Sequence, residues 1–189
     1  MRKIIAIEGI DGSGKTTLSN MLKDYLTLKK GLRVIVTREP FSEEIINLIE
    51  KLGWKDPITL TLLFAADRAI HINWLSKQDA DVFILDRYYF SSIAYQGALS
   101  GDEDWIKVVN SKFPKPDIGI LLDLPVEIAL SRIIKNDKFN FNEKISSLSK
   151  VREKYLELAK EYGLYVIDAT REKEKILQDV IHIIENHLL

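Results

Sequence analysis

"KIIAIEGIDGSGKTT" spans residues 3–17, and the reading of this stretch decides the fold. Its first six residues form a short, β-branched apolar run of the kind that makes a buried strand. "GIDGSGKT" (9–16) then matches G-x-x-x-x-G-K-[ST] in full, and a helical pattern begins at Lys15. Glycine lets backbone N–H groups converge on phosphate oxygens, and a helix N-terminus adds favourable partial charge for an anion. The expected nucleotide-binding residues are therefore Gly9, Ile10, Asp11, Gly12, Ser13, Gly14, Lys15, Thr16 and Thr17. Lys15 is expected to reach the β- and γ-phosphates, and the Thr16 hydroxyl to ligate Mg²⁺. A glycine-rich turn with an accidental lysine would match about once in a hundred chains of this length. The placement between strand and helix makes that coincidence rarer still.

Outward from this point the alternation continues. "LRVIVTRE" (32–39), "DVFILD" (81–86), "DIGILLDL" (117–124) and "LYVIDA" (164–169) read as four further buried strands. Helical periodicity covers segments near 15–30, 43–52, 58–78, 91–110, 126–135, 142–162 and 172–188. This order predicts a doubly wound α/β protein: the three-layer P-loop NTPase fold, a five-stranded parallel sheet flanked by helices. Gly31 and Gly163 stand where left-handed helix ends are expected. Pro57, Pro114, Pro116 and Pro125 fall between elements or at their starts. No repeat, low-complexity tract or linker divides residues 1–189, which read as a single domain.

Composition narrows the function classes. A net charge of −1 provides no global attraction for a nucleic acid polymer or an anionic membrane. The chain has no cysteine, which excludes disulfides, thiolate metal sites and cysteine nucleophiles. The opening apolar run is broken at Glu8, too early for a signal-peptide core, and no run is long enough to span a bilayer. A cytoplasmic protein is expected. His71, His182 and His187 take no functional role, with His71 read as structural or solvated. No carboxylate–histidine cluster has metal-ligand spacing, so Mg²⁺ arriving with ATP is the expected ion.

The Asn-Lys-x-Asp guanine reader of a GTPase is absent, and a second polar constellation points to a kinase for a small acceptor. Such an enzyme must bring two anions together, so it needs basic groups from several directions. Arg38 ends the second strand in "TREP" (37–40), at the sheet edge where open α/β proteins bind ligands. Phe64 and Arg68 stand four residues apart on one helix face in "LLFAADRAIH" (62–71). Asp86 and Arg87 follow a strand in "DRYYFSSIAYQG" (86–97), and "SRIIKNDK" (131–138) places Arg132, Lys135 and Lys138 near a helix end.

In order and spacing, "IEGIDGSGKTT", "TREP", "LFAADRAIH", "DRYYFSSIAYQG", "LLDLPVEIALSR" and "VIDAT" resemble the thymidylate kinase family over nearly the whole chain. The resemblance implies transfer of the γ-phosphoryl of ATP to dTMP, with Mg²⁺, giving dTDP and ADP. It implies that Phe64 stacks on thymine, Arg68 contacts the base, and Arg38 with Arg87 holds the acceptor phosphate. Tyr95 would lie near the sugar C2′, disfavouring a hydroxyl there, with Ser91, Ser92 and Gln96 on the acceptor side. Asp11 would stand near the sugar and the transfer site, and Asp86 would engage Mg²⁺ through water. Arg132 would lie over adenine, with the backbone near Ala169 and Thr170 closing that pocket. Homodimers are common among such relatives, and the apolar helix "LTLLFAADRAIHINWL" (60–75) is compatible with one.

Two departures stand out. "TREP" usually continues with glycines, whereas Phe41 follows here and the loop looks shortened. Some members carry a phosphate-loop arginine where this chain has Gly12; others have glycine there and supply arginines from a helical lid. The lid expected at about 132–141 offers Arg132, Lys135 and Lys138, so either lysine is a candidate to neutralise the transferring phosphoryl. The alternatives are a kinase for another nucleoside monophosphate and a nucleotide-binding regulatory module without turnover. Ordinary packing competes for Phe64, Tyr88 and Tyr89, and surface ion pairing for Asp67–Arg68 and Asp86–Arg87.

Overall fold

The computed structural model describes residues 2–133 and 141–188. Five strands form in the order of the chain: β1 (Lys3–Glu8), β2 (Val34–Arg38), β3 (Val82–Asp86), β4 (Ile118–Asp123) and β5 (Tyr165–Asp168). They assemble as β2-β3-β1-β4-β5, and every neighbouring pair is parallel. All of β3 and the last four residues of β1 are buried, which is why these strands are continuous apolar runs without alternation. The edge strands β2 and β5 are only partly covered.

Eight helices are described: α1 (Lys15–Lys30), α2 (Glu43–Leu52), α3 (Pro57–Ser76), α4 (Tyr89–Ser100), α5 (Glu103–Asn110), α6 (Val126–Ile133), α7 (Phe141–Tyr162) and α8 (Lys173–His187). α1 packs on α8, β2 and β3, whereas α4 packs on α3, α5 and α7, so two helical groups flank the sheet. Gly31 caps α1 in the left-handed region, and Gly163 follows α7 in the same conformation. Pro57 opens α3 beside its capping Asp56.

One expectation is corrected. The segment 91–110 is two helices, not one, because Gly101 turns left-handed at φ 71° and Asp102 then caps a new helix through the Trp105 N–H at 3.2 Å. The lid near 132–141, with Lys135 and Lys138, falls almost wholly on residues 134–140, outside the described ones.

The topology positions the site. β1 lies between β3 and β4, so successive crossovers leave it on opposite sides and open a crevice at the strands' carboxyl ends. Gly9, Arg38, Asp86 and Ala169 each stand at or just beyond one of those ends.

Candidate active site

The phosphate loop is shaped by two close approaches. A Cβ on Gly9 (φ 147°) would lie 2.6 Å from the Leu122 carbonyl oxygen, and one on Gly12 (φ 82°) 2.3 Å from that of Ala129 on α6. No side chain fits at position 12 unless α6 moves, which accounts for glycine there. Gly14, also left-handed, starts α1. The Lys15 ammonium is buried and donates to the carbonyls of Gly9 and Ile10, both at 3.0 Å. Gly9 and Ile10 thus stand behind the loop holding the lysine. Burial, reinforced by the nearby Arg87 charge, pushes Lys15 down to about 8.

Thr16 donates its hydroxyl to the Asp86 carboxylate at 2.5 Å, joining the start of α1 to the end of β3. No group of three or more histidine or acidic residues among those described forms a metal cage. Two hard oxygens at the mouth of an anion-binding loop do fit Mg²⁺, which takes its remaining ligands from water and phosphate.

Two cavities open at this edge. The larger, about 700 Å³, is lined by residues 11–17 of the loop and helix and reaches Arg132, Ala169 and Thr170. Arg132 spans it, donating to the carbonyls of Gly12 at 3.3 Å and Ala169 at 3.0 Å. The smaller, about 290 Å³, contains Phe64, Arg68, Ser91, Ser92, Tyr95 and Gln96. Asp11, Arg38 and Arg87 line both. Their side chains make the wall where the two spaces meet. Arg87 donates to Asp11 at 2.5 Å and lies 5.2 Å over the Tyr95 ring, while the Tyr95 hydroxyl accepts from the Asp11 N–H at 3.3 Å.

The smaller cavity rests on a buried relay. Arg68, 2% exposed, donates to Glu39 at 2.8 Å, Asn110 at 2.5 Å and Ser92 at 3.2 Å. The other Glu39 oxygen meets His71 Nδ1 at 3.0 Å, and His71 Nε2 meets Thr37 at 2.8 Å. Phe41 stacks on His71, and Asp67 accepts the N–H groups of Phe41 and Ser42. Asp67 and Arg68 are therefore not a surface ion pair: both are buried, and each binds the loop after β2. His71 is structural, as one of its two readings had it, and it is fully enclosed. Tyr88 and Tyr89 are buried in the core, with the Tyr88 hydroxyl donating to the Pro114 carbonyl.

The Gln96 side-chain oxygen is buried against this cavity without a hydrogen-bond partner. A buried acceptor is rarely left so, and here it calls for a donor from whatever occupies the space. Among the neighbours of the site without a role from sequence are Glu8, Glu39, Trp54 and Asn110. Glu8 and Glu39 are acids at strand ends inside quoted motifs, a signal that was there to use. Trp54, 53% exposed at the cavity's rim and 6.1 Å from the Phe64 ring, stands in the α2–α3 connection with no local signature.

A complete phosphate loop whose cavity shares Asp11, Arg38 and Arg87 with a second cavity defines the class: a P-loop protein with two adjoining cavities at one edge of its sheet. The family model for thymidylate kinase matches residues 7–180. A probable thymidylate kinase of Saccharolobus solfataricus is 71% identical over 189 residues, covering all of both chains. One of Sulfurisphaera tokodaii is 53% identical over 184 residues, 97% of this chain and 96% of its own. One of Pyrococcus horikoshii is 37% identical over 199 aligned positions, 98% of this chain and 97% of its own. The chain belongs to the thymidylate kinase family.

Proposed function

We propose that the protein is a cytoplasmic ATP:dTMP phosphotransferase. The bond between the β–γ bridging oxygen and the γ-phosphorus breaks while a dTMP 5′-phosphate oxygen bonds to that phosphorus, giving ADP and dTDP. The observation that carries this reading is the shared wall of Asp11, Arg38 and Arg87. Two nucleotides seated in the two cavities would meet there with their phosphates in line, which is most of what phosphoryl transfer requires.

Each side chain then has a role. Lys15 leaves the loop carbonyls for the β- and γ-phosphates of ATP, and the guanidinium forks of Arg38 and Arg87 hold the acceptor phosphate. Thr16 and Asp86 would hold Mg²⁺, which supplies charge neutralisation at the transferring phosphoryl. Arg132 covers the adenine, with Ala169 and Thr170 closing that end. Phe64 offers its face to the thymine ring, and the unpartnered Gln96 oxygen suits the thymine N3–H. Arg68, already committed to Glu39, Asn110 and Ser92, can turn a remaining N–H to a base carbonyl. Tyr95, held against Arg87 and Asp11, would test the sugar at C2′. The Ser91 hydroxyl faces Arg87 at 3.2 Å and acts on the acceptor side through it. Lys135 or Lys138 would add charge during transfer.

The test is ADP formation from ATP–Mg²⁺ with dTMP, dUMP, dCMP, dAMP, dGMP, UMP and thymidine supplied separately. Strong stimulation by dTMP with UMP near background is expected. Preference for another monophosphate would discard the thymine pocket, and no stimulation by any acceptor would favour a regulatory module. Light scattering on the same preparation reports whether a homodimer forms.

A further inference from the structure

We propose that Glu8 is the positioning residue for the acceptor-phosphate grip: its carboxylate clamps the left-handed turn that presents Arg87 and ties that turn to α7. The proposal rests on the reading of Arg87 as an acceptor-phosphate ligand.

Glu8 is the last residue of β1 and is 0% exposed. A carboxylate placed there is costly unless it is fully hydrogen-bonded, and this one is. One oxygen accepts the Tyr88 N–H at 2.8 Å, and the other accepts the hydroxyls of Ser91 at 2.6 Å and Tyr155 at 3.1 Å. Immediately before Tyr88 stands Arg87, the one non-glycine residue among those described with a positive φ, at 74°. A bulky L-residue keeps such a backbone only where its surroundings impose it. The imposition is visible on both sides. The Arg87 N–H is held by the Ile7 carbonyl at 3.0 Å, and the next N–H is held by Glu8. Ser91 continues the clamp to the side chain, because its oxygen also accepts from the Arg87 guanidinium at 3.2 Å.

The groups facing Glu8 are Lys15 from α1, Arg87 and the Tyr88 N–H from the turn, Ser91 and Tyr89 from α4, and Tyr155 from α7. Burial outweighs the lowering effect of Ser91, Arg87, Tyr88 and Lys15 and raises Glu8 to about 7. Ionised, Glu8 accepts from all three partners. Protonated, it loses the charge that strengthens these bonds and part of its accepting capacity, while the Ser91 and Tyr155 hydroxyls can bond to each other instead, at 2.8 Å, and the turn loosens.

The experiment measures kcat and both KM values for wild type, Glu8→Gln and Tyr155→Phe from about pH 6 to about pH 9, with melting temperatures alongside. In wild type the dTMP KM is expected to fall as pH rises through about 7, beyond what ionisation of dTMP itself produces. Glu8→Gln, a mimic of the protonated form, should raise the dTMP KM about tenfold at high pH, leave the ATP KM within about twofold, and converge on wild type near pH 6. Tyr155→Phe removes one donor to the carboxylate and should move the inflection to higher pH. Wild-type dTMP KM values for Glu8→Gln throughout, or an inflection unmoved in both variants, would overturn the proposal. Equal losses in both KM values with a lowered melting temperature would also overturn it, by making Glu8 merely structural. Arg87→Ala separates the two readings: an unchanged dTMP KM there refutes the Arg87 assignment itself.

Discussion

The two cavities that meet at Arg38 and Arg87 are built on different plans. The larger is organised around one continuous stretch, residues 11–17, whose loop carbonyls hold its lysine. The smaller is gathered from β2, the α2–α3 connection, α3 and α4, and is locked by the buried His71, Glu39, Arg68 and Asn110 together with the half-buried Thr37. A backbone cradle takes any nucleoside triphosphate that offers the right phosphates, whereas a side-chain cavity can discriminate among acceptors. The division has a stability consequence. The reactive side chains of the cradle, Lys15 and Thr16, can be changed with little effect on folding, whereas its close-packed Gly9 and Gly12 cannot; residues of the relay carry the fold and the specificity together.

Substitutions on the two sides should therefore fail differently. The largest rate effect is expected for Lys15→Ala, with kcat down roughly 10²–10³-fold, the melting temperature kept, and dTMP affinity little changed. Steady-state kinetics with calorimetry reads all three quantities. Arg68→Ala should instead cost about 3–5 kcal/mol in urea denaturation, because Glu39 is left buried without its guanidinium partner, and the dTMP KM should rise with it. If Arg68→Ala kept full stability, the distinction between cradle and relay would fail. At the junction of the two plans, Asp86→Asn should raise the Mg²⁺ concentration for half-maximal activity about 10–100-fold, measured by metal titration, with folding intact. The mildest effect belongs to the rim. Trp54→Ala should raise the dTMP KM about 2–10-fold at unchanged kcat, and dTMP, but not ATP, should change Trp54 fluorescence in wild type.

The same contrast explains what could be read from sequence. Strands such as "VFILD" are legible because burial on both faces leaves a continuous apolar run, and the phosphate loop because its chemistry needs adjacent residues. The break between α4 and α5 is marked in the sequence by Gly101 followed by the capping Asp102, within a run of polar residues at 100–104 that separates the two apolar patterns. On the acceptor side, Phe64, Arg68, Arg87, Tyr95 and Gln96 were recognised through the family resemblance and do converge on one cavity. Their supports were not. Arg68 pairs with Glu39 across 29 residues and with Asn110 across 42, and no local pattern announces such a partner. Asp67–Arg68 looked like a surface pair because adjacent opposite charges usually are one. Only the seating of α3 against the loop after β2 turns both inward.

The central claim is that the two cavities form one continuous site closed by a shared arginine wall. Its most direct test is calorimetric titration with adenosine and thymidine joined 5′ to 5′ through a chain of five phosphates. One-to-one binding that is weakened by ATP alone and by dTMP alone is the expected result. Binding relieved by only one of the two nucleotides, or two independent binding events per chain, would contradict it.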